Sequence, residues 1–100
     1  YVQDNVDACV NAFEKDLLIN DVANIGGNKE ITIKELAEII VSKTNSKSRI
    51  VHVPPLKDGD MLRRCPDNTY MREHLLTRPL TTLEDGISKL LEIGLFDLKR

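Results

Sequence analysis

Strand signal is scarce in this chain, and that scarcity limits its architecture more than any other feature. Val22-Ala23-Asn24-Ile25 reads as a short strand stopped by Gly26-Gly27-Asn28. Glu30-Ile31-Thr32-Ile33 can make a brief extended step into a helix, and Ile50-Val51-His52-Val53 alternates apolar and polar before Pro54-Pro55 ends it. Strands so few and short do not make a self-sufficient sheet. The expected fold class is an α+β fragment of about four helices with two or three short strands, in the order helix, strand, helix, strand, helix, helix. Such a chain reads as part of something larger, and no repeat or shift in composition divides its 100 residues.

The helices are marked by periodicity and by their ends. Asp4 is placed to cap a helix from Asn5 to about Lys15, on which Val6, Cys9, Val10 and Phe13 recur as one buried face. A second helix runs from about Ile33 to Lys43 with Ile33, Leu36, Ala37, Ile40 and Val41 as its apolar stripe. Its start is written twice, by the capping-box spacing of Thr32 and Glu35 and the staple spacing of Ile31 and Leu36. Asp67 caps a short helix to about Leu76 with Met71 and Leu75 inward and His74 on a polar flank. After Arg78-Pro79, Thr81 or Thr82 caps a last helix to about Ile93, where Gly86 suggests a tight contact. Gly94 is a natural stop, and the tail from Leu95 to Arg100 is expected to fray or dock weakly.

The charge balance excludes some partners. A net charge of −2 and only 4% aromatic residues, with no Trp, argue against a nucleic-acid binder, which needs a basic excess and stacking rings. No apolar run approaches a membrane span, and the first residues have neither the basic end nor the apolar stretch of a signal peptide. No membrane partner is expected, and a cytoplasmic location follows by default. Cys9 and Cys65 stand far apart without a clustered ligand set, so both read as free thiols, Cys9 in the core, and no metal site is expected. His52 has no ligand partner at useful spacing and reads as an exposed histidine.

The clearest ligand-binding signal is Asp58-Gly59-Asp60-Met61-Leu62-Arg63-Arg64-Cys65-Pro66-Asp67. Paired arginines end a polar loop, and the Pro-Asp step opens the next helix, so a guanidinium stands beside a helix start that also favours anions. The plainer alternative for Arg64 is a surface ion pair with Asp58 or Asp60.

Several segments together resemble a known family: Tyr1-Val2-Gln3-Asp4, Asn24-Ile25-Gly26-Gly27, Ile31-Thr32-Ile33-Lys34-Glu35-Leu36-Ala37, Arg64-Cys65-Pro66-Asp67, and Pro79 with Leu83-Glu84-Asp85-Gly86-Ile87. In this order, across nearly the whole chain, they are similar to the C-terminal portion of extended short-chain dehydrogenases/reductases acting on nucleotide sugars. This is the NAD-dependent epimerase/dehydratase family, including UDP-glucuronate decarboxylases and UDP-glucose epimerases. The resemblance implies that residues 1–100 are the C-terminal, nucleotide-sugar-binding lobe of a Rossmann-type enzyme, without its cofactor domain. Arg64 would reach the diphosphate of the bound nucleotide sugar, with Arg63 a secondary candidate that is more simply a solvated neighbour.

The departures from the family pattern bear on chemistry. The glycine-rich dinucleotide loop is missing, and so is the Tyr-x-x-x-Lys pair: four residues after Tyr1 comes Asn5, and four after Tyr70 comes His74. The resemblance therefore implies substrate grip without catalysis, no catalytic residue and no cofactor bound by this chain, with NAD belonging to the complete enzyme. Leu75-Leu76-Thr77 stands where the family shows Leu-Gly-Trp, which removes a large apolar anchor. The implied partners are a nucleotide sugar, of which a UDP-sugar is the first choice, and the absent N-terminal cofactor domain. The alternative is a stand-alone binding or interaction module left by truncation, self-associating through exposed apolar surface.

Overall fold

The structure, a computed structural model, describes residues 1–59 and 61–94. Its elements are α1 (Val2–Glu14), α2 (Ile33–Thr44), a π-helical turn (Met71–Leu75) and α3 (Leu83–Glu92). The chain forms two compact units. One joins Tyr1–Glu30 to Cys65–Thr82, and the other joins Ile31–Arg64 to the chain from Leu83 onward.

The expected α+β class is overturned. Among the described residues there is no strand; residues 22–25 and 50–53 are both irregular. A strand is stable only in a ladder that takes up its amides and carbonyls, and neither segment finds a partner strand within its unit. The alternation at residues 50–53 is real in sequence, but Val51 and Val53 are 76% and 79% exposed, so no apolar surface covers the face it was expected to bury.

The core of the first unit is small: Ala8, Met71, Leu75 and Leu76 are buried, with Ala12, Leu17, Leu18, Ala23 and Leu80 packed around them. Met71 and Leu75 point inward as their spacing predicts. The turn that carries them is wound wider than an α-helix, the amide of Leu76 donating to the carbonyl of Met71 at 2.7 Å. His74 lies on the exposed flank, its ring 4.5 Å from that of Tyr70.

Helix α1 turns a different face inward from the expected one. Asp4 and Ala8 are its buried residues, whereas Val6, Val10 and Phe13 are exposed, Phe13 by 86%, and the supposed core thiol Cys9 is exposed as well. Alanine at position 8 lets the helix backbone approach Met71 and Leu75, which a Val or Phe on the same face would prevent. The helix also begins at Val2, not Asn5, so Asp4 sits in its first turn and caps nothing.

In the second unit, α2 pairs with α3, and the Lys43 ammonium donates to the Ser88 hydroxyl at 3.1 Å. The capping box is present as expected. The Glu35 amide donates to Thr32 Oγ1 at 3.1 Å, and the Thr32 amide donates to Glu35 Oε2 at 2.7 Å. Replacing Thr32 with Ala should cost about 1 kcal/mol, read as a lower urea midpoint together with faster amide exchange in the first turn of α2. Helix α2 closes on Asn45 in the left-handed region, and Gly86 is the buried residue of α3. Gly94, at φ +67, closes α3 as predicted. The tail from Leu95 on lies outside the described residues.

Candidate functional site

Two of the sequence segments that carry the family resemblance lie side by side in the first unit. The Asn24 side-chain amide donates to the Asp67 carbonyl at 3.2 Å, and that of Asn68, a buried residue, donates to the Gly26 carbonyl at 2.7 Å. The Cys65 thiol donates to the Asn28 carbonyl at 3.5 Å. Gly26 fits closely here, because a Cβ at that position would stand 3.0 Å from Pro66 Cγ, part of a stiff ring. The Cys65-Pro66-Asp67 turn is thereby tied down by the Gly-Gly turn.

Arg63 and Arg64 immediately precede that turn in the chain, and both are exposed. Among the described residues no ion pair joins Arg64 to Asp58, and Asp60 lies outside them. The helix start beyond Pro66 differs from the expected anion site. Asp67 Oδ1 accepts from the Thr69 amide at 3.0 Å, so a carboxylate already fills the place an incoming anion would take. That bond, with the Thr69 hydroxyl, holds the Asp67 carboxyl below its ordinary value. His52 is exposed, as expected.

Asp4, read in sequence only as a helix cap, is instead the hub of a polar cluster. The buried Asp4 carboxylate accepts from Arg78 Nη1 at 2.8 Å, from the Thr81 amide at 3.0 Å and from the Thr81 hydroxyl at 2.9 Å. Arg78 also donates through Nη2 to Asp7. The i, i+3 spacing of Asp4 and Asp7 places both carboxylates on one face of α1, and this is the local signal that could have suggested a shared cation. Arg78, read only as part of a helix break, is that cation, and its forked donors span the two carboxylates.

This clasp is sensitive to acid. Burial pushes the Asp4 carboxyl up, but the hydrogen bonds from Arg78 and Thr81 outweigh it and hold the group below its ordinary value. Arg78, with the Gln3 amide, holds Asp7 down as well. Both folded values lie below the unfolded ones, so the stability they contribute is complete at neutral pH and is lost as pH falls below about 4. Urea midpoints measured between pH 7 and pH 3 should fall more steeply in the native chain than in Arg78→Ala; parallel slopes would place the acid sensitivity elsewhere.

Chemically, Arg78 occupies both Asp4 and Asp7, which leaves neither carboxylate available as a general base. Gly26 is packed on Pro66 and Gly27 opens no helix, α2 beginning only at Ile33. The pair therefore does not fit the pyrophosphate cradle that a dinucleotide cofactor needs. Among the described residues, no three His, Cys, Asp or Glu side chains group as a metal ion would need, and no helix is long and apolar enough to cross a membrane.

Against known proteins, no family model matches the chain, and no solved structure matches it significantly. Curated sequences do. The chain is 32% identical to the UDP-N-acetyl-alpha-D-glucosaminuronate decarboxylase of Bacillus cytotoxicus, over 92% of this chain and 30% of that protein. It is 34% identical to UDP-glucuronic acid decarboxylase 1 of Danio rerio, over 92% of this chain and 21% of that one. A putative GDP-L-fucose synthase 2 of Arabidopsis thaliana is 33% identical, over 92% and 27%. The chain thus spans between 21% and 30% of the length of these relatives. The likenesses support a relationship to the epimerase/dehydratase family.

Proposed function

We propose that this chain is the C-terminal, substrate-binding lobe of an NAD-dependent nucleotide-sugar epimerase, dehydratase or decarboxylase of the cytoplasm. In this reading Arg64 grips the diphosphate of a UDP-sugar, with Arg63 a weaker contributor. The observation that carries it is the likeness of 92% of the chain to two UDP-sugar decarboxylases. The chain supplies grip and no redox chemistry; NAD and the proton-transfer residues belong to the rest of the enzyme.

The test is a titration of the labelled chain with UDP and with UDP-glucuronate, following backbone amide shifts. Saturable movement around Arg64 that is lost in Arg64→Ala is the expected result, with weak affinity because the rest of the pocket is absent. Unmoved amides at Arg63, Arg64, Cys65 and Asp67, at millimolar ligand, would overturn the assignment.

A second reading rests on the exposed stripe of Val6, Val10 and Phe13 on α1. A stand-alone module could self-associate through it. Light scattering over a dilution series should then show a concentration-dependent mass, and a monomer throughout would refute this reading.

A further inference from the structure

We propose that the first unit carries a second binding site, separate from Arg64, for a free α-amino acid with an apolar side chain. It is an open cleft of about 650 Å³, within the range of small-molecule sites. Thr69, Arg72 and Glu73 line it, the last two from the π-helical turn Met71–Leu75. The wider winding of such a turn sets consecutive side chains at a smaller angle than an α-helix does, so neighbouring residues of opposite charge share the cleft. Pro79 and Leu80 add apolar surface beside them.

The charges select the ligand. Arg78 also lines the cleft, but its guanidinium is taken by Asp4 and Asp7. The Arg72 side chain makes no hydrogen bond or ion pair among the described residues, so its fork is available to a carboxylate. Glu73 has a neighbour of its own, His74, whose Nε2 stands 3.8 Å from Glu73 Oε2. That separation is too long for a hydrogen bond and involves one oxygen, which leaves Oε1 to accept from an ammonium. A protonated His74 weakens the pull of Glu73 on a second cation, and a neutral one does not. A ligand with a single charge gains one partner here and is repelled by the other. A free amino acid carries a carboxylate for Arg72 and an ammonium for Glu73 on the same carbon, and its apolar side chain meets Pro79 and Leu80. This site stands apart from the Arg64 reading and does not depend on it.

The experiment is an amide-shift titration of the 100-residue chain with leucine, N-acetylleucine and leucinamide. Leucine should give saturable shifts at Thr69, Arg72, Glu73 and Thr77, with weak affinity because both charged side chains are exposed. Acetylation removes the ammonium and amidation the carboxylate, and each should weaken binding about tenfold. Arg72→Gln, an exposed change with no bond to lose, should no longer distinguish leucine from leucinamide, and Glu73→Gln should no longer distinguish leucine from N-acetylleucine. His74→Gln removes the competing cation and should hold leucine at least as tightly as the native chain. Arg64→Ala should leave these shifts intact while abolishing those caused by UDP, so the two readings can fail separately. The proposal is overturned if leucine gives no saturable shift, if either blocked form matches it, if Arg72→Gln or Glu73→Gln binds leucine as the native chain does, or if His74→Gln loses it.

Discussion

Replacing Asp4 with alanine is expected to destabilise the chain by about 3 kcal/mol, a large share of what a domain of this size has. The buried carboxylate takes three donors, and its loss leaves the Thr81 amide without an acceptor and frees one arm of Arg78. Hydrogen bonds to a charged group contribute about 1.5–3 kcal/mol, and an orphaned buried donor adds its own desolvation cost. Urea denaturation at pH 7 reads the loss directly. The gap between native chain and variant should narrow as pH falls, because protonating the native carboxyl removes the same bonds. Arg78→Lys should be intermediate, since it keeps the charge but not the fork that spans Asp4 and Asp7. A midpoint for Asp4→Ala equal to that of the native chain would mean Asp4 is not a structural hub.

Leu75→Ala is expected to cost about 3 kcal/mol as well, because it deletes three carbons from a site that is 1% exposed and cannot easily collapse. Among the described residues, only Ala8, Met71, Leu75 and Leu76 are buried apolar side chains, so few other contacts can compensate. The informative control is Phe13→Ala. Periodicity puts Phe13 on the buried face of α1, but the structure leaves it 86% exposed, and its loss should change stability by no more than about 0.5 kcal/mol. Urea midpoints of the two variants side by side separate the pictures. Equal and large losses would mean that α1 buries the Val6-Val10-Phe13 stripe in solution.

The candidate site was only partly legible. The two segments that meet, Asn24-Ile25-Gly26-Gly27 and Cys65-Pro66-Asp67, were both marked in sequence, but their contact joins residues some forty positions apart, and nothing local states it. Asn68 carries no local sign of its role, because the acceptor that makes it structural is the carbonyl of Gly26, 42 positions away. Asp4 was misassigned for a related reason. An acid near the start of a helix is a plausible cap, and only the fold brings Arg78 and Thr81 to it.

What the sequence determined by itself is whatever a few neighbouring residues can decide. The Thr32–Glu35 capping box, the Gly94 stop and the inward pair Met71 and Leu75 each depend on bonds or spacings within one turn of chain, and each is found where the pattern put it. The tertiary structure alone decided which face of α1 to bury, whether residues 22–25 and 50–53 become strands, and where the Asp4 carboxylate spends its hydrogen bonds. Those outcomes depend on distant partners. Small Ala8 admits Met71 and Leu75 where the bulkier stripe cannot, an unpaired segment has no ladder to join, and a buried carboxylate takes the strongest donors within reach, wherever they lie in the chain.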